Sequence, residues 1–236
     1  MFSNSDLDKL EEKINSVERD FSKRISDNTI VGEEAITERL LQTLELSING
    51  FELSYSVSLP SFGAGGSSIS ENTAKLQTAR INAPRIMGRS TVAKGANSEE
   101  SISGADAMIV LESSIPSIEA HKGFLFQAKK HSGNGSFRSI GTSEIREQCR
   151  KMLSLTSSSY AIVYHNGGFY CFDCKDMNNK NWSGFHRKNA IPLAKIIRLF
   201  MMCKVGDHQL NAIDKTSFAN FLSSEKIDQG LVISTE

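Results

Sequence analysis

The sequence predicts a mixed α/β fold, and three observations predict it. Apolar residues recur three and four apart over residues 7–21 and again over 33–46. Short runs rich in β-branched and aromatic residues follow at 51–59, 105–112, 123–130, 160–164 and 169–174. Helical patterns then return between and after these runs, which is the alternation of an α/β architecture. At 236 residues the chain is long enough for one ample domain that buries its own core without disulfides or a structural metal. With 39% hydrophobic and 23% charged residues it has an ordinary globular balance, which excludes a disordered chain.

The first element is an amphipathic helix. Leu7, Leu10, Ile14, Val17 and Phe21 form a narrow seam with charged residues between them. Such a seam either docks on its own domain or offers a contact for a homodimer, so residues 1–28 are read as an extra N-terminal helix before a domain at 29–236. A second helix is expected over 33–46, with Ile36, Leu40, Leu41 and Leu44 on one side. FELSYSVSL at 51–59 alternates and reads as a strand. Residues 60–104 are rich in Ser, Gly, Ala and Asn and read as a long insertion. Its basic half, from Lys75 to Lys94, carries Lys75, Arg80, Arg85, Arg89 and Lys94 with no acidic residue among them. That half is either a loop facing nucleic acid or a solvated insertion. The total charge gives no such hint, since 27 basic residues balance 27 acidic ones.

Two strands, ADAMIVLE at 105–112 and GFLFQAKK at 123–130, come next. Thr142 or Ser143 then caps a helix reaching about Leu155, with Glu144 and Glu147 in the first turn, where the helix dipole favours acid. Strands at 160–164 and 169–174, a helix over 193–204 after Pro192, a short helix at 218–222 and a last strand at 231–234 complete the reading.

The chemistry gathers in the paired strands. If they form an antiparallel hairpin centred between Pro116 and Ser117, opposed residues have numbers that sum to 233, as Asp106 and Gln127 do. Opposed Cβ atoms lie ~4.5–5.5 Å apart. Lys129, two residues past Gln127, shares its face. A one-residue slip would turn one strand over. One hairpin thus collects a carboxylate, an amide and an ammonium within strands otherwise apolar enough to be central, where Asp and Lys are seldom buried unpaired. The plain alternative is a salt bridge between Asp106 and Lys129 at the strand ends.

GADAMIVLE followed by KGFLFQAKK, after a Glu-bearing helix and a strand, resembles the PD-(D/E)XK nuclease superfamily, in particular its Gln-x-Lys subset of Mrr-type restriction endonucleases and anti-phage nucleases. The resemblance spans residues 32–174. It implies a restriction-endonuclease-like core, a central mixed β-sheet flanked by helices, and a metal-dependent nuclease acting on DNA in preference to RNA. It also implies a setting in bacterial anti-phage defence, with a defence-system partner protein, and a working homodimer. In such a site Asp106 is the principal Mg²⁺ ligand. The helix supplies a further carboxylate from GEEAITERLL: Glu34 by its spacing to Leu40 and Leu41, with Glu33 and Glu38 as the other choices. Gln127 offers an amide carbonyl where the common pattern has an acid, which weakens metal affinity and shifts preference toward Mn²⁺. Lys129 orients the nucleophilic water and stabilises the developing charge. Gln148, in REQCRKML, resembles a glutamine that touches water or substrate in some members; as a plain residue it is an exposed helix polar.

Other signals weigh less. Cys171 and Cys174 form one CxxC, and Cys203 with His208 would bring a zinc site to four ligands by count, but a second CxxC is missing and no strand-then-helix context for a redox pair is evident. The five histidines show no HExxH, there is no GxSxG, and Gly63 to Gly66 lacks the Lys-Ser/Thr of a P-loop. Trp182, Phe185 and His186 beside Arg187 and Lys188 either stack on bases or pack a loop. With no apolar core near the N-terminus and no ~20-residue apolar span, a cytoplasmic protein without a membrane partner is expected.

Overall fold

The computed structural model describes residues 2–27, 33–59, 68–82, 103–115, 118–131, 142–165, 168–180, 182, 184–211 and 214–235. An eight-stranded mixed sheet stands between two helical layers. Helix α1 (Asn4–Ser26) and helix α2 (Glu33–Ile48) lead into strands β1 (Glu52–Leu59), β2 (Ser68–Asn82), β3 (Ala107–Ser113) and β4 (Ala120–Lys130). Helix α3 (Thr142–Leu155) precedes β5 (Ser159–His165) and β6 (Gly168–Asp173), and α4 (Cys174–Asn178) precedes the two-residue β7 (Ile191–Pro192). Helices α5 (Leu193–Met201) and α6 (Lys215–Ser224) come before the last strand, β8 (Gln229–Thr235). Spatial order is β1-β2-β8-β3-β4-β5-β6-β7. The β3–β8 and β4–β5 pairs are parallel and the others antiparallel.

Alternation along the central strands sorts the core into two halves. Ile109, Leu111, Phe124, Phe126, Ile162 and Tyr164 face α1, α2 and α5, while Met108, Val110, Leu125, Ala161 and Val163 face α3, α4 and α6. Both faces of β3 and β4 are covered, which is why their sequences read as nearly continuous apolar runs.

Two expectations change. The stretch at 60–104 is not one insertion, because its residues 68–82 form the fifteen-residue β2, paired with β1 on one side and β8 on the other. Few apolar side chains mark β2: Ala74 and Leu76 are buried, and Thr, Asn and Gln fill partly covered positions. Its backbone hydrogen bonds to two neighbours, rather than an apolar stripe, hold it in place. Second, Cys174 does not end a strand; it opens α4, capped by the Asp173 carboxylate, which accepts from Lys175 N at 2.8 Å. The CxxC therefore does sit at a strand-to-helix junction. Its two thiols nevertheless point into different halves of the core, Cys171 with the α1 side and Cys174 with the α3 side.

The seam of α1 is buried in its own chain. Leu7, Leu10, Ile14 and Phe21 all lie in the core, and Phe21 packs on Phe169 with ring centroids 5.5 Å apart. Of the two roles the seam allowed, docking on its own domain is the one these four residues adopt. No helix among the described residues is long and apolar enough to cross a membrane.

Two buried charges hold α5 at its ends. Glu18 accepts a hydrogen bond from Ala194 N at 2.8 Å, in the first turn of α5. Lys122 donates to Phe200 O at 2.6 Å and Val205 O at 2.8 Å beyond the last turn. An acid at the start and an ammonium at the end match the helix dipole and satisfy otherwise orphaned backbone groups. Burial pushes the Glu18 carboxyl up to about 7, against the backbone hydrogen bonds that hold it down, and pushes Lys122 below the usual ammonium range.

Because the folded pKa of Glu18 lies above the unfolded value of 4.5, its ionisation costs the folded state more than the unfolded one. The contribution is therefore intact below pH 4.5, falls as pH rises, and is lost above about 7. Thermal melts from pH 4.5 to 8 should show wild type losing stability relative to Glu18→Gln; parallel profiles would remove Glu18 as the cause.

Candidate active site

The β3–β4 ladder runs in the register that the sequence suggested: Ala107 opposes Phe126 and Met108 opposes Leu125, pairs whose numbers sum to 233. Asp106 stands one residue before β3, where the ladder ends. Its backbone N–H still donates to Phe126 O at 2.9 Å, but its carboxylate replaces the next backbone partner. Asp106 Oδ2 accepts from Ala128 N at 2.7 Å and from Gln127 Nε2 at 2.9 Å. A strand that turns away would otherwise leave that N–H unmet in a buried place, so the carboxylate closes the ladder as well as any chemistry it performs.

Gln127 is 4% exposed and fixed by two acceptors, Asp106 Oδ2 and Ala128 O, the latter at 3.3 Å. Both neighbours accept, so the amide NH₂ must face them; the flipped amide would set oxygen against oxygen. Lys129, on the same face, donates from Nζ to Glu144 Oε1 at 2.8 Å. Its side chain is 15% exposed against 55% for Glu144. Asp106 and Lys129 therefore share one face, and the carboxylate that Lys129 meets there is that of Glu144.

Helix α3 roofs this face. Ile145, Cys149 and Met152 bury its inner stripe, while Glu144 and Gln148, four apart, lie side by side next to that stripe. Gly104 makes the close approach: with φ of +70° and an added Cβ only 2.6 Å from Gln148 O, no other residue fits between the Asp106 turn and the α3 backbone. Gln148 Oε1 is buried with no hydrogen-bond partner among the described residues. Gln148 is thus partly covered against the α3 side of the core, not an exposed polar residue.

Helix α2 packs on the other face, where Ile36, Leu40 and Leu41 join the α1 half of the core. Thr37 Oγ1 lies 3.3 Å from Tyr164 OH, and Tyr164 pairs with Lys130, so the first turns of α2 come near the sheet end at which β4 finishes. The side chains of Glu33 and Glu34 lie outside the described residues. Glu38 is exposed, on the side of α2 away from the buried Ile36 and Leu40, and does not meet Asp106.

Sequence reasoning missed two members of the site. By sequence Glu144 serves the helix dipole alone, although its spacing to Gln148 marks one helix side. Gly104 precedes Ala105-Asp106 directly, and a glycine beside a chemistry-bearing turn is itself a signal of close approach. The other candidates disperse. Among the described residues no group of three or more His, Cys, Asp or Glu side chains could hold a metal, which removes the zinc arrangement of Cys171, Cys174, Cys203 and His208. Phe185 packs edge-on against Phe172 and Trp182, at 4.8 and 5.1 Å, and is buried, so that cluster fills a loop. In the basic stretch, Arg80 pairs with Glu45 at 2.6 Å and Lys75 is exposed. Arg85, Arg89 and Lys94 lie outside the described residues.

What the fold defines at this point is a mixed α/β chain with an acid, an amide and an ammonium on one rim of its sheet. Compared with protein-family models, with curated proteins and with solved structures, the chain matches none.

Gly104→Ala should force α3 off the Asp106 turn and cost about 1–3 kcal/mol, measured by denaturant unfolding. An unfolding midpoint equal to wild type would mean the contact with Gln148 is slack. Asp106→Ala should cost a similar ~1–3 kcal/mol by orphaning Ala128 N–H, whereas Asp106→Asn, whose carbonyl can still accept, should lose less.

Proposed function

We propose that the chain is a metal-dependent phosphodiesterase with a restriction-endonuclease-like core, cutting DNA in preference to RNA. The observation that carries this reading is the convergence of Asp106, Gln127 and Lys129 on one rim, from adjoining strands in a register that the Gln-x-Lys pattern requires. Bacterial anti-phage defence, with a defence-system partner, is the setting that the resemblance offers. Residues 1–28 and 29–236 then work as one body, since the α1 seam is part of the core.

Asp106 is the resident hard-oxygen donor. One of its oxygens is engaged by two N–H groups, and among the described residues no group of three or more His, Cys, Asp or Glu side chains gathers around it. That suits Mg²⁺, or Mn²⁺, which retains water and takes one or two carboxylates plus substrate oxygens. A second carboxylate would come from Glu34. Bound there, the cation would acidify a water and offset phosphate charge.

The chain's own groups do the rest. Gln127 holds the Asp106 carboxylate in a fixed rotamer through its amide nitrogen; a ligand role for its carbonyl would require the amide to turn away from both present acceptors. Lys129 presents an ammonium two residues further along the rim, where it would orient the attacking water and offset charge on the phosphoryl oxygens. Glu144 keeps that ammonium in place before substrate arrives and gives it up to the phosphate. Gln148 would offer its buried carbonyl to the water or to a base.

A second reading has its own support. The Asp106 carboxylate already closes a ladder and Lys129 already has a carboxylate partner, as they would in a non-catalytic nucleic-acid-binding or interaction subunit of the same fold. Purified protein incubated with plasmid DNA and with RNA, in Mg²⁺ or Mn²⁺ and beside a chelator control, separates the two. Cleavage that needs the metal and drops about 100- to 1000-fold in Lys129→Ala supports the enzyme. Retention of nucleic acid without cleavage supports the binding subunit, and equal cleavage by wild type and Lys129→Ala would sink the proposed site.

A further inference from the structure

The two cysteines that sequence spacing joins are not the two that the fold joins. Cys171 lies in β6 and Cys174 at the first position of α4, and the side chains of the pair enter opposite halves of the core. Cys174 instead meets Cys149, on the inner stripe of α3. The Cys174 thiol donates to Cys149 Sγ with the sulfurs 2.7 Å apart, a contact that has to shorten only to the ~2.05 Å of a disulfide bond. Met177 Sδ lies 3.8 Å from Cys149 Sγ and fills the other side of the same apolar contact. Both thiols are buried, and burial beside Cys149 holds the Cys174 thiol well above its usual range.

We propose that Cys149 and Cys174 form a cross-linking site, converted to a disulfide by a small two-electron oxidant such as hydrogen peroxide. One thiol gives up its proton as its sulfur attacks the peroxide, becoming a sulfenic acid while the expelled hydroxide takes that proton and leaves as water. The second thiol then gives up its proton as its sulfur attacks the sulfenic sulfur, forming the S–S bond while the displaced hydroxide leaves as a second water. Two thiols and one peroxide thus give one disulfide and two waters. The same pair of electrons moves if a disulfide reagent is the acceptor. Because neither helix has to travel far to close the remaining gap, the bond would tie α3, which carries Glu144 and Gln148, to the start of α4. Cys171 and Cys203 take no part: the first is enclosed on the far side of the sheet and the second is exposed after α5.

The site does not depend on nuclease activity and is tested without it. The full chain is treated with millimolar peroxide, quenched, unfolded in guanidinium, and its free thiols are counted and blocked. Digestion with trypsin and with a protease cutting before aspartate then isolates Cys149 in residues 147–150 and Cys174 in 173–175, while Cys171 stays in 152–172. The expected result is a fall from four free thiols to two and a cross-linked pair of the peptides 147–150 and 173–175, cleaved by a reductant. In Cys149→Ser and Cys174→Ser the cross-linked species should be absent. Since either variant is a change in the core, the peptide map of wild type is the deciding measurement. A Cys171–Cys174 link, a Cys149–Cys171 link, or four thiols remaining after prolonged exposure would each overturn the proposal.

Discussion

The pairing of β3 with β4 fixes which side chains lie on which face of the sheet, and most of the molecule follows from it. With Ala107 opposite Phe126, the even-numbered residues of β3 and the odd-numbered residues of β4 look toward α3, and the others look toward α1, α2 and α5. A shift by one residue would move Gln127 and Lys129 beneath α2 and expose Phe126 and Ala128 to α3. The register is held at its end by the Asp106 carboxylate, which supplies the hydrogen bond that β3 no longer provides once it leaves the ladder. The residue proposed for chemistry is thus also the one that ends the pairing. A carboxylate at the point where two strands part is positioned by the backbone itself, which is how a rigid site is built without a loop.

Ionisable groups elsewhere in the interior have structural employment. Glu18 and Lys122 are both buried, yet each meets backbone at an end of α5. Their pKa displacements come mainly from desolvation and require no substrate to explain them. Lys122 also lies over the Phe200 ring at 4.7 Å, completing its enclosure. The rim residues differ: Asp106 and Lys129 are only partly buried, and among the described residues the Asp106 carboxylate meets Gln127 and the N–H of Ala128 while Lys129 meets the Glu144 carboxylate.

Legibility in the sequence followed the strength of the apolar pattern. The α1 seam, the core side of α2, and the β3, β4 and β5 runs were readable because burial on one or both faces leaves a period that composition cannot hide. Strand β2 was not readable: it earns its place through backbone bonds to β1 and β8, and its Ser, Asn, Thr and Gln residues resemble a loop. The position of β8 was equally hidden. A short strand at the chain's end was visible, but its insertion between β2 and β3, parallel to β3, depends on Gly230 admitting the Phe218 ring, with an added Cβ 2.5 Å from that ring.

The sequence by itself determined the mixed α/β class and the common face of Gln127 and Lys129, because strand alternation is a local property; the register that adds Asp106 to that face is a property of the folded hairpin. Only the tertiary structure decided what those side chains touch: Gln127 turns its nitrogen to Asp106, Glu144 takes Lys129, and Gly104 lets α3 descend onto the turn. It also decided that Cys174 meets Cys149 in place of its neighbour in the CxxC. Such contacts depend on side-chain rotamers and on how helices settle on the sheet, which no local spacing encodes.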